Sequence, residues 1–223
     1  VTLLLQQYPT KSVASSDALF AKIVNDLAND GYSIQANALP LGLTDILYTH
    51  VVNLPQYKFN PARVGRESNQ QLNAQIRNDK TLWIYGDSPA GREWLKWTQA
   101  LQLYLNRHLF MGLFSFESHF SHYAKGNYYK KHVDAFKGQA NRVLSLVTYL
   151  NPQWQDTQGG ELIIYNQPGN PEGIKVLPKY GTLVLFLSEE FEHEVKPAQR
   201  DRYSIAGWFR VNTSTREQVD PPL

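Results

Sequence analysis

The chain has 223 residues, 42% of them hydrophobic, enough to bury a substantial core within one domain. Its 22 basic and 20 acidic side chains leave a net charge of +2, scattered along the chain rather than gathered into a stripe, which argues against nucleic acid or an anionic membrane as a partner. Cysteine is absent, so no disulfide framework can form and nothing points to an oxidising compartment; a cytoplasmic location is expected.

The first seven residues, Val1 to Gln7, are too short an apolar run for a secretory signal, and no later run is long enough to span a bilayer. Because residue 1 is Val, something is expected to have preceded it. Ser16 and Asp17 open a stripe at helical spacing (Leu19, Phe20, Ile23, Val24, Leu27), and Gly31 stops it. A second helix is predicted over residues 41–52, with Leu43, Ile46, Leu47 and Val51 on one face. A third covers residues 90–109, carrying Trp94, Leu95, Trp97, Leu101, Leu105 and Leu109. Faces this apolar pack against a sheet.

From Met111 onward the pattern changes to period two, giving eight short strands at 114–123, 128–133, 142–150, 161–165, 174–177, 182–187, 195–197 and 203–211. A mainly β domain with supporting helices follows: helical support over 1–110, a β core over 111–212 and a polar tail over 213–223. No repeat or linker interrupts this single domain.

Chemistry concentrates in the β half. His132 and Asp134 flank Val133, and side chains two apart on a strand share a face, so one strand can present both. His193, at the start of another β-like run, supplies a third donor. Two imidazoles and one carboxylate on one face of an octahedron leave positions open, unlike a closed structural zinc site. Nine residues on, Arg202 opens a strand with Ile205, Trp208 and Phe209, where its planar guanidinium can meet a carboxylate. Taken without the triad, Arg202 reads as a solvated edge charge. His119 and His122, three apart on a strand, face opposite sides and make a poor metal pair; with His50 and His108 they read as structural or surface residues.

The text from residue 123 to 210 resembles the catalytic core of the 2-oxoglutarate and iron(II)-dependent prolyl hydroxylases, of the hypoxia-sensing type and its bacterial relatives. The resemblance rests on Tyr123 through His132-Val133-Asp134, Arg142, Tyr149-Leu150-Asn151, Trp154, Gly159-Gly160, His193 to Ala198, and Arg202-Tyr203. It implies a double-stranded β-helix (jelly-roll, cupin-like) core. It also implies a dioxygenase hydroxylating a prolyl residue of a protein and releasing succinate and carbon dioxide. Iron(II) would be held by His132, Asp134 and His193, with 2-oxoglutarate as cosubstrate and ascorbate as a supporting reductant. Arg202 and Tyr149 would grip the far carboxylate of 2-oxoglutarate, with Tyr123 and Tyr129 lining the metal pocket that holds the cosubstrate and Trp208 near the iron, shaping a dry pocket. A weaker match runs from Gly65-Arg66-Glu67 through Leu72 to Arg77, Asp79 and Trp83. In the resembled enzymes this is a loop closing over the substrate, which puts Arg77 and Asp79, with Arg142, at the substrate; a short helix and strand with solvated charges is the alternative. The expected partner is a protein bearing the target proline, with elongation factor Tu implied by the bacterial resemblance, and the enzyme is expected to act as a monomer. Hydroxylation of a free amino acid or other small molecule, or a non-catalytic cupin-like metal sensor, are the competing readings.

Overall fold

The computed structural model describes residues 13–63, 73–135, 141–165 and 170–212. Three helices come first: α1 (Val13–Asp30), α2 (Leu41–Val52) and α3 (Pro89–Leu109). α1 buries Phe20, Ile23 and Leu27 and ends where the Gly31 N–H bonds the Leu27 carbonyl at 3.1 Å. Gly31 sits at φ 75°, the left-handed conformation that closes a helix and that L side chains avoid. α3 opens on Ser88, whose hydroxyl accepts from the Gly91 N–H, followed by Pro89 at the first turn. α2 packs through Thr44, Leu47 and Val51, so Ile46 turns outward instead of sharing that face.

Eleven strands are formed among the described residues: β1 (Tyr32–Gln35), β2 (Asn60–Pro61), β3 (Lys80–Trp83), β4 (Leu113–Tyr123), β5 (Tyr129–His132), β6 (Arg142–Tyr149), β7 (Leu162–Tyr165), β8 (Ile174–Val176), β9 (Leu183–Leu187), β10 (Glu192–Val195) and β11 (Arg202–Val211). They build a seven-stranded antiparallel sheet, β1-β9-β6-β11-β4-β3-β2, facing a four-stranded sheet, β5-β10-β7-β8. This is the mainly β, double-stranded β-helix architecture. Two strands depart from the expected limits. β10 begins at Glu192, before the predicted 195–197 segment, because His193 is paired on both sides, with His132 and with Ile164. β5 ends at His132, so Asp134 lies in the bend that follows and not on the strand. The tail and the Gly65 to Leu72 segment lie outside the described residues.

Period-two alternation divides the large sheet into two buried faces. Phe120, Leu144, Leu146, Leu183, Leu185, Ile205 and Phe209 pack with Trp94, Leu101 and Leu105 of α3 and with Leu47 of α2. Tyr123, Tyr149, Val184 and Phe186 point the other way and pack with Leu162, Ile164 and Val195 of the small sheet. The helices therefore cover one face and leave the other to form a cavity between the sheets.

Candidate metal and cosubstrate site

His132 and His193 are cross-strand partners on the small sheet, with ring centroids 4.2 Å apart. Each Nδ1 is aimed at a backbone carbonyl two residues back: Lys130 O at 2.8 Å for His132 and Phe191 O at 3.1 Å for His193. A carbonyl can only accept, so both Nδ1 atoms carry a proton, which in a neutral ring leaves the Nε2 lone pair for a metal. Both Nε2 atoms face Asp134, with Nε2 to carboxylate oxygen separations of 3.7 Å in each case. One donor atom from each of the three side chains lies within 4.8 Å of the others, a span one metal ion can bridge.

Asp134 reaches this position from its bend because Ser145 on β6 donates to its Oδ2 at 2.6 Å, and Ser145 is itself linked to Ser188 at 2.9 Å. Burial opposes a charge on Asp134; the two facing imidazoles and the Ser145 hydroxyl outweigh it and hold the carboxyl well below the usual carboxylate range. Burial pushes His193 down to about 4, with Asp134 opposing and His132 adding to the shift. Asp134 is thus held as a carboxylate and His193 is readily neutral, as metal ligation requires of these donors.

The other end of the cavity is built around Arg202, which is 1% exposed. Its Nε donates to Gly160 O at 2.9 Å and its Nη1 to Ser204 Oγ at 3.2 Å. No carboxylate pairs with it among the described residues, and a buried permanent cation without an anion is costly. The rings of Tyr123 and Tyr149 flank the guanidinium at 4.9 and 5.0 Å. The Tyr149 hydroxyl is buried without a hydrogen-bond partner, and burial, opposed by Arg202, pushes it up to about 12. An unpaired cation beside an unsatisfied hydroxyl is a complete receptor for a carboxylate. Gly160 makes the approach possible: at φ 73° a Cβ there would lie 2.9 Å from the Ala198 Cβ and 3.3 Å from the Arg202 Cδ.

The remaining predicted residues fall into two groups elsewhere in the cavity, which measures about 780 Å³. Arg77 makes a bidentate pair with Asp79, both contacts at 2.7 Å, and lies 4.2 Å over the Tyr129 ring, which stacks on His132 at 3.6 Å. These charges are buried and paired, so the solvated alternative does not hold. Arg142 donates to Glu117 at 2.7 Å and lies 3.7 Å over Trp208. Tyr129 and Trp208 both line the cavity, Tyr129 against the His132 ring and Trp208 under Arg142. Sequence reading missed Ser145, Ser188 and Glu117. It also set His119 aside as structural or surface, whereas His119 is 4% exposed and lines the cavity beside Trp83 and Trp208. The alternation Glu117, His119, Ser121, Tyr123 along β4 was the available signal. His122 is on the opposite face as expected, stacked on Tyr203 and 3.2 Å from Asp201.

Fold and site together describe a non-haem metal oxygenase with a carboxylate cosubstrate. The model of the 2OG-Fe(II) oxygenase superfamily matches residues 118–210. A prolyl-4-hydroxylase from Pseudomonas putida superposes with a TM-score of 0.77 at 38% identity, covering 86% of this chain and 98% of that one. A prolyl hydroxylase from Trichoplax adhaerens, solved with a hypoxia inducible factor oxygen degradation domain peptide fragment, superposes with a TM-score of 0.79 at 28% identity over 92% and 94% of the two chains. Human Egl nine homolog 1 is 30% identical over 142 residues, 60% of this chain; the chain spans about a third of that relative's length. The chain belongs to the 2-oxoglutarate and iron(II) oxygenase superfamily, within its prolyl hydroxylase branch.

Proposed function

We propose that this protein is a dioxygenase that hydroxylates a prolyl residue of a protein substrate, converting 2-oxoglutarate to succinate and carbon dioxide. The observation that carries this reading is one cavity joining the His132, Asp134 and His193 donor set to an unpaired, buried Arg202. His132, Asp134 and His193 would hold iron(II), and Arg202 with Tyr149 the distal carboxylate of 2-oxoglutarate. Iron(II) so held would supply dioxygen activation, one oxygen atom going to succinate as 2-oxoglutarate loses carbon dioxide and the other entering the substrate C–H bond.

The chain's own residues fix the geometry around that chemistry. Lys130 and Phe191 carbonyls lock the imidazole tautomers, Ser145 locks the carboxylate, and Tyr129 braces the His132 ring. Val147, Leu162 and Val195 line the cavity and exclude water. The cavity lies toward the upper end of the roughly 300–1,000 Å³ range of small-molecule sites, which leaves room for a residue with its chain neighbours beside the cosubstrate. Arg77 and Arg142, held by Asp79 and Glu117, line the cavity and offer polar contacts to a peptide. By resemblance to the bacterial relatives, the reading extends to a cytoplasmic monomer acting on elongation factor Tu with ascorbate keeping the iron reduced.

The test is turnover by purified protein with iron(II), 2-oxoglutarate and ascorbate on prolyl peptides and on free amino acids. Succinate release with hydroxyproline formed in peptides is expected. Turnover of free proline alone points to a small-molecule oxygenase, and metal binding without 2-oxoglutarate consumption to a sensor; either overturns the reading.

A further inference from the structure

His119 stands apart from both halves of the site. Across the large sheet it is opposite Trp83 on β3 and Ala206 on β11, and Ala206 is opposite Val147 on β6. The next row along is Glu117, Trp208 and Ser145, the serine that holds Asp134. Two strand spacings and one row place His119 about 10 Å across and about 7 Å along from Ser145. Arg202 lies two rows the other way, opposite Tyr123. His119 is therefore too far across the sheet to ligate with the triad and off the line toward Arg202, on the side wall that a substrate beside the metal would face.

Its surroundings fix the ring and its charge. Trp83 meets it edge to face at 5.2 Å and Trp208 at 5.5 Å, while Nδ1 lies 3.1 Å from Ser121 Oγ, its one side-chain hydrogen-bond partner among the described residues. The ring's other nitrogen has no side-chain partner. Burial, then Arg77, and also Arg142 push its basicity down to about 4 against the pull of Asp79 and of a backbone hydrogen bond to Phe120. The ring is a neutral hydrogen-bonding edge within an aromatic wall, between the Arg77–Asp79 and Arg142–Glu117 pairs.

We propose that His119 is a substrate-positioning residue: its Nε2 hydrogen-bonds the backbone of the segment carrying the target proline, while the neighbouring Trp208, which also lines the cavity, packs against the pyrrolidine ring. A peptide group offers both a carbonyl and an N–H, and a neutral imidazole can bond either according to its tautomer. The indole of Trp208 suits the polarised C–H bonds of a proline ring. This assignment rests on the prolyl hydroxylase reading above.

The test compares wild type with His119→Phe and His119→Gln, using N-acetyl-glycyl-prolyl-glycinamide and free L-proline. Peptide binding is read by tryptophan fluorescence of the protein loaded with Mn(II) and 2-oxoglutarate, and coupling by the ratio of succinate to hydroxyproline in the iron enzyme. The Phe variant is expected to weaken peptide binding about tenfold, the usual scale for one lost hydrogen bond. It should release succinate in excess of hydroxyproline while keeping wild-type Mn(II) and 2-oxoglutarate affinity, and the Gln variant should restore binding and coupling. A Phe variant with wild-type peptide affinity and coupling overturns the assignment. So does equal loss of Mn(II) affinity in both variants, which would mark a packing role. Wild type that takes free proline and not the peptide overturns the reading of function and the assignment with it.

Discussion

Ser145 Oγ lies 2.6 Å from Asp134 Oδ2, and this bond ties the bend after β5 to the large sheet at the level of the metal donors. A carboxylate outside regular structure depends on such a partner for its direction. Ser145→Ala is expected to lower Mn(II) affinity by about tenfold or more, the scale seen when a ligand's hydrogen-bond partner is removed. Isothermal titration with Mn(II) measures it, and unchanged affinity would mean that the backbone alone orients Asp134.

Among the described residues no carboxylate pairs with the buried Arg202 cation. Arg202→Met should therefore melt at or above the wild-type temperature without 2-oxoglutarate, because the desolvation cost disappears. Added 2-oxoglutarate should stabilise wild type and leave the variant unmoved. The 2-oxoglutarate requirement should rise by about 2–3 kcal/mol, the scale of a lost charge-assisted contact. Ligand-induced stabilisation of the variant equal to wild type would place the cosubstrate elsewhere.

Gly160 carries the carbonyl that Arg202 bonds, at a φ that L residues avoid and against Ala198. Gly160→Ala should cost about 1–3 kcal/mol of stability from strain and overlap. It should also raise the KM for 2-oxoglutarate, since Arg202 is displaced with the carbonyl. Urea unfolding and steady-state kinetics check the two parts separately.

His119 gives stability a pH dependence. The folded protein keeps this imidazole neutral down to about 4, whereas the unfolded chain takes up a proton near the ordinary histidine value of 6.5. Between those values the unfolded state binds more protons, so the stability from this group is complete above pH 6.5 and is lost as pH falls to about 4. The difference is about 3 kcal/mol. Compared with wild type under identical metal-free conditions, His119→Gln should lose less stability over that interval. Parallel curves would show that the imidazole is not held neutral.

The sequence made legible those features whose partners are near in the chain or whose pattern repeats. Helical stripes and period-two runs placed the three helices and most of the strands, and the types and order of His132, Asp134, His193 and Arg202 exposed the donor set. β1 escaped notice because its inward residues, Ser33 and Gln35, are polar and bonded to Asp26. β10 was set too late because Glu192-His193-Glu194 reads as a charged loop until its pairing with β5 and β7 is known. Ser145, Glu117 and His119 gain meaning only from strands brought beside them by the fold, and each partner lies far from it in sequence: Asp134, Arg142 and Trp83, respectively.

The central claim is that one cavity couples 2-oxoglutarate turnover to hydroxylation at a metal held by His132, Asp134 and His193. Its most direct test measures succinate and hydroxyproline together, by mass spectrometry, for wild type and Asp134→Ala acting on a panel of prolyl peptides with iron(II). Equimolar succinate and hydroxyproline from wild type, with neither product from a folded Asp134→Ala protein, is the predicted result. Equal product from the two proteins, or no hydroxyproline from wild type on any peptide, would contradict it.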